Sequence, residues 1–315
     1  MTTLRWKLSL LCTALAAGAL VTVASAQGDG RVRIDTTFAF NKGGSVELGL
    51  VSGTIVVTGW TRQDAKVVAT TDRGWLETSF SSSRISIELR DRDGRGRRRR
   101  NDDEHEARYE VMVPIGTRVR ASAVSGDIHI KATAGEVQAN TVSGDVDVLD
   151  AADRVVVSSV SGSVRAARLR GRIRVDAVSA DVALDDIVGD VGAKTVSGEI
   201  TIRNTRASQV HAETVSGEIT YEGTVEPGGT YEFNAHSGDV KLRIPGGLSA
   251  NLALETFSGE INSAFPMTLQ PGDNVTRRRG RKMDFTIGSG GARVTVGTFS
   301  GDITIERSGR PNKED

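Results

Sequence analysis

Four histidines, His105, His129, His211 and His236, are the only imidazoles available for acid–base work, and one opens the run His236-Ser237-Gly238-Asp239. That run holds the residue types of a base, a nucleophile and an orienting carboxylate. Successive side chains on a strand face opposite sides, so these three do not converge as a triad requires. The chain has no CxxC, HExxH or P-loop, and its Ser-Gly pairs do not match G-x-S-x-G. The residues therefore point to a non-enzyme with no catalytic residue, no cofactor and no metal centre.

Two basic clusters are candidates for binding an anion. One lies in a charged loop, residues 91–106, where Arg97, Arg98, Arg99 and Arg100 are followed by Asp102, Asp103, Glu104 and Glu106. The other is Arg277, Arg278 and Arg279, with Arg281 and Lys282 close behind. Either could hold an anionic surface polymer. The adjoining acids favour a solvated hairpin tip for the first, and an extruded loop is the favoured account of the second.

A third set is a series of acids placed two residues after recurring serines: Asp127, Asp145, Asp181, Glu199, Glu218, Asp239, Glu260 and Asp302, with Ser163 in one place. Stacked neighbours of like charge repel, so something must offset them. Bound calcium would do so, as would turn N–H groups donating to each carboxylate at its own corner. The interchange of Asp with Glu, and Ser163, favour the N–H explanation.

The serines themselves set the architecture. The phrase V-S-G-D/E-I/V, or a near copy, carries Ser125, Ser143, Ser161, Ser179, Ser197 and Ser216, at steps of 18, 18, 18, 18 and 19. Looser copies hold Ser237, Ser258 and Ser300, at steps of 21, 21 and 42, and VSGTI with Ser52 stands before the array. A fixed period near 20 residues marks a solenoid. The double-length last step suggests a coil near Arg279 that kept its length and lost its motif. Counting the serine as zero, apolar residues fall at +3, +5, +8, +12, +14 and +17, as in Val164, Ala166, Leu169, Ile173, Val175 and Val178. Short alternating runs rich in Val and Ile are strands with one buried face. They leave no room for crossover helices, so the fold class is all-β, a parallel β-solenoid of about 18–21-residue coils. On this pattern Val160, Phe233, Phe257, Phe299 and Tyr231 are core residues.

The glycines after the serines fit corners that need positive φ. The repeat turns are thus Ser52, Gly53, Ser125, Gly126, Ser143, Gly144, Ser161, Gly162, Ser197, Gly198, Ser216, Gly217, Ser237, Gly238, Ser258, Gly259, Ser300 and Gly301. Ser179 is followed by Ala180, which must either keep φ negative or accept strain. Columns 18 residues apart place Asp147 beside Arg165 and Glu136 beside Arg154, pairs that support the register.

The recurring V-S-G-D/E-I/V, the early Leu50–Trp60 run LVSGTIVVTGW and the Val113–Ile128 junction VPIGTRVRASAVSGDI resemble the bacterial putative-adhesin family of β-strand-repeat proteins, a domain of unknown function. The resemblance covers essentially the whole mature chain and implies an exported or envelope-associated binding role. Calcium β-rolls share only the nine-residue half-period. Polysaccharide-active β-helices have longer coils and aromatic clefts. An envelope-stress sensor acting on a membrane regulator is a further alternative.

The N-terminus carries Arg5 and Lys7, an apolar run from Leu8 to Val23, and Ala24-Ser25-Ala26, which together read as a secretory signal over residues 1–26. Its removal takes the single cysteine, Cys12, and leaves no membrane span. It also leaves 38 basic residues against 40 acidic, a net charge of −2 that gives no general attraction to nucleic acid. The expected organisation is an irregular β cap over 27–116, solenoid repeats over 117–306 and a polar tail over 307–315. The expected partner is a cell-envelope or surface component, protein or polysaccharide, met in the periplasm or at the cell surface.

Overall fold

A computed structural model of the chain describes residues 32–72, 75–90, 106–266 and 281–308. Among them every regular element is a strand, and all the strands join one sheet that winds around a single core. The period read from the serines is the stacking period. Val155 pairs with Ile173 and Val164 with Val182, both in parallel, and Ile173 pairs with Val191 in the same way. Each residue therefore meets its own repeat equivalent one coil away, and equivalent positions stack in columns.

One coil shows how the residues make the turn. After Ser161, Val164 and Ala166 point inward from a first short face. Arg168 then takes a left-handed conformation, φ 55°, and the equivalent Ala132, Asp150, Asp186 and Asn204 do the same at φ 50–58°. Such φ values are uncommon outside glycine, and Asp and Asn tolerate them best. The bend drives Leu169 into the core, and a second face follows with Ile173, Val175 and Ala177 inward.

That last residue corrects the expected pattern. The inward position is +16, not +17: Ala177 is 9% exposed and Val178 is 44% exposed. Alternation from +12 and +14 simply continues to the end of the strand. Thr141, Ser159, Thr195 and Thr214 occupy the same inward place and are buried. The threonine hydroxyls are satisfied by the corner of the adjacent coil, Thr195 donating to the Ala180 carbonyl at 3.2 Å and Thr298 to that of Gly238 at 3.0 Å. Val160, Phe257 and Phe299 thus lie outside the core, whereas Phe233 and Tyr231 lie within it.

The N-terminal end is built from strands that leave the sequence order. Ser45–Trp60 lies directly on Arg118–Lys131 in parallel, with Ser52 opposite Ser125. Its other side carries Arg84–Arg90 and Ala107–Pro114, again in parallel. Antiparallel strands then close this end: Asp64–Thr71 on Ala107–Pro114, Val32–Ala39 on Asp64–Thr71, and Trp75–Phe80 on Arg84–Arg90. Reversing direction at an end breaks the parallel template that a further coil would use.

The C-terminal end also departs from chain order. Ser237 is opposite Ser300, and Ser300 is opposite Ser258, so strand Ala292–Ser300 lies between Thr230–Ser237 and Ala250–Ser258. Among the described residues the step from Ser258 to Ser300 holds no motif-less parallel coil; residues 267–280, Arg279 among them, lie outside the described residues. Strand Arg281–Ile287 instead pairs antiparallel with Ala250–Ser258, on the side away from Ala292–Ser300. The turn Gly288-Ser289-Gly290-Gly291, with three positive-φ glycines, carries the chain around Ser249 to the other side of that strand. Ten Ser corners thus stack in the order 52, 125, 143, 161, 179, 197, 216, 237, 300, 258.

Candidate functional site

The Ser corners form a continuous edge where the two faces of every coil meet. A Cβ on Gly162, whose φ is +110°, would sit 2.2 Å from the Gly144 carbonyl oxygen of the coil before, so a corner residue with this φ must be glycine for the coils to close at this height. Ala180 meets the same place by keeping φ out of the positive region, and its methyl group turns inward at 3% exposure.

The acids of this edge are tied to the neighbouring coil. Oδ1 of Asp127 accepts the N–H of Asp145 at 2.9 Å, and Asp145 accepts that of Ser163 at 2.8 Å. Asp181 serves Glu199, Asp239 serves Asp302, and Asp302 serves Glu260 in the same way. The expectation of N–H bonds within each carboxylate's own corner is corrected to bonds between coils, because one coil's corner lies directly over the next coil's amide. The hydrogen bond from the Ser163 N–H, with help from the Ser163 hydroxyl and Arg165, holds the Asp145 carboxyl below the usual range. Glutamate, one methylene longer, overshoots: Glu199 and Glu218 instead accept from Thr201 and Thr220 at 2.7 and 2.9 Å. Glu218 is raised by burial, but its bonds to Lys241 and Thr220 win and its carboxyl is also lowered.

The histidines do not gather. Nδ1 of His129 lies 2.9 Å from Asp147, and His211 lies 3.2 Å from Glu232, each a pair between adjacent coils. His236 stacks on Phe299 with centroids 5.0 Å apart. His105, the arginines Arg97–Arg100 and Arg277–Arg279, and the N-terminal segment 1–26 lie outside the described residues. Among the described residues no group of three or more His, Cys, Asp or Glu side chains could hold a metal ion, and no helix is long and apolar enough to cross a membrane.

The feature that the core assignment hid is an exposed apolar ladder along this edge. The residue before each serine is Val51, Val124, Val142, Val160, Val178, Val196 and Val215 in seven successive coils, each 44–53% exposed. His236, Phe299 and Phe257 complete it, and the two phenylalanine rings stack at 4.8 Å with planes 2° apart. The signal was present in sequence: strict alternation from +12 puts +17 on the outer face.

A family model described as Toastrack DUF4097 matches residues 109–306. Among curated proteins there is no match. Solved structures similar to this chain include a "putative cell adhesion protein" from Clostridium sporogenes, at 10% identity, covering 88% of this chain and 100% of that one, with a TM-score of 0.21. A "putative lipid binding protein" from Parabacteroides distasonis has 14% identity, covering 67% and 89%, with a TM-score of 0.34. A "putative adhesin" from Bacteroides fragilis has 13% identity, covering 87% and 96%, with a TM-score of 0.34.

Proposed function

The chain belongs to the Toastrack DUF4097 family, and we propose that it works as an exported, non-catalytic binding or structural module of the bacterial cell envelope. The observation that carries this reading is the outer edge of the stack, where an apolar side chain stands exposed in coil after coil while the core is filled without it. Exposed apolar surface in a line this long is costly to keep in water and characterises surfaces that meet a partner. Export rests on the basic start, apolar run and Ala24-Ser25-Ala26 site of the first 26 residues. The partner is a component of the envelope or cell surface, and Arg97–Arg100 and Arg277–Arg279 are candidate anion-binding runs of the chain.

Two measurements test this. Fractionation of cells expressing the full chain should place a protein lacking residues 1–26 outside the cytoplasm, and a full-length cytoplasmic product would overturn export. Immobilised chain should retain a discrete component of an envelope extract, with less retained when the two arginine runs are replaced by serine. Retention indistinguishable from that of an unrelated β-protein would overturn the binding reading.

A further inference from the structure

The ladder has one acidic margin. On one side runs the acid column of the Ser corners, eight carboxylates of which Asp145 and Glu218 have ion-pair partners, Arg165 at 3.4 Å and Lys241 at 2.9 Å. The other six make no ion pair among the described residues, though Asp239 lies in the field of Lys241. On the other side, two residues before each rung, the outward column carries Asp176, Glu213 and Glu255, but Arg174 pairs with Asp176 at 2.7 Å, Lys194 with Glu213 at 2.6 Å, and Lys282 stands opposite Glu255, so this margin is close to neutral. An apolar line about 43 Å long, ten rungs at ~4.8 Å, therefore runs beside one acidic margin.

We propose that this ladder is the docking surface for a basic amphipathic α-helix of a partner protein, laid along the stack with its apolar stripe on the valines. The inference rests on the reading of the chain as a binding module, and it names the surface and the partner's chemistry. An α-helix presents one apolar position per turn of 5.4 Å, close to the coil spacing of about 4.8 Å, so several turns stay in step with successive rungs. At roughly 10–12 Å across, the helix also brings flanking Lys or Arg residues over the acid column. Coulombic pairing there is worth more than at an isolated surface site because the charges form a row.

A second copy of this chain fits less well. A two-fold axis across the ladder lays acid column on acid column. An axis along the ladder sets Glu199 against Lys194 but Asp181 against Asp176 and Glu218 against Glu213 of the other copy, with no row of cations to meet the acid column. An anionic lipid surface is repelled by the acid column.

The test uses the purified full-length mature chain and three labelled peptides of about twenty residues, ~30 Å as a helix. One is a Leu/Lys amphipathic helix, one its Leu/Glu counterpart, and one a Ser/Lys peptide of equal charge. The Leu/Lys peptide should bind and the other two should not. The triple variant Val142→Ser, Val160→Ser, Val178→Ser changes only exposed positions, so its dichroism should match the parent. Asp127→Asn, Asp181→Asn, Asp239→Asn keeps the Oδ1 acceptors and removes charge. Each triple variant should bind the Leu/Lys peptide about ten-fold more weakly or worse. Absence of binding, equal binding of the Ser/Lys peptide, or affinity unchanged by the serine variant would each overturn the proposal. So would ladder-dependent dimerisation in sedimentation without peptide binding. None of these results bears on export, which fractionation tests separately.

Discussion

Val157→Asp and Val160→Asp differ by three positions in one strand, and the fold assigns them opposite consequences. Val157 is fully buried, between Ala139 and Val175 of the adjacent coils. A carboxyl there has no cation to pair with and must be neutral. Protonating it at pH 7, against an ordinary Asp value of about 3.9, costs about 4 kcal/mol at 1.36 kcal/mol per unit. Losing the valine's burial adds about 1.5–3 kcal/mol. Val160 is 45% exposed, so an Asp there keeps its hydration and gives up only about 1 kcal/mol of partial burial. In a solenoid each coil is held by its neighbours, so the Val157→Asp damage should centre on the coils of Ser143, Ser161 and Ser179. Hydrogen exchange resolved by coil, with urea unfolding alongside, measures both variants. The buried carboxyl has a raised folded pKa, so the variant's stability should recover as pH falls, by about 2.7 kcal/mol between pH 7 and pH 5. Equal damage from the two substitutions, or a Val157→Asp defect indifferent to pH, would refute the placement of the inner and outer faces.

Gly162→Ala should destabilise by about 1–3 kcal/mol or more, because a Cβ at positive φ meets a backbone carbonyl, whereas Ala180→Gly, which loses a buried methyl group and gains chain entropy, should cost only about 1 kcal/mol; thermal melts rank the two. All three tyrosines are buried, and burial raises Tyr109, Tyr221 and Tyr231 above the ordinary value of about 10. A raised phenol stabilises the fold below the unfolded value and ceases to do so as pH rises, so phenolate absorbance should appear only together with loss of β dichroism. Phenolate forming near pH 10 in intact protein would count against this burial. Asp145, whose carboxyl is lowered chiefly by the Ser163 N–H, contributes stability above pH 4 that is lost as pH falls through its folded value. Asp145→Asn keeps an acceptor for that N–H and should flatten the acid limb of the stability–pH curve; an unchanged limb would show that the bond does not matter.

The repeat alone determined that this is a parallel solenoid, because a motif returning every 18 residues with short Val- and Ile-rich runs between corners leaves one way to satisfy both period and backbone. The columns were legible for the same reason: Arg154 and Glu136 lie 3.8 Å apart, as their spacing implies. The place of Ser52 was not legible. Its strand joins the stack only after the chain has made a long excursion, and the excursion's pairing is non-local. The insertion of Ala292–Ser300 between earlier strands was hidden likewise, since equal spacing is consistent with any order of stacking. The outer ladder was misread because valine is as common on an exposed strand as in a core. Residue type says what a side chain prefers, whereas the parity of its position along a strand that begins at a particular corner decides where it points. That corner is set by Gly162 closing on Gly144 one coil away, a contact that exists only once the coils have stacked.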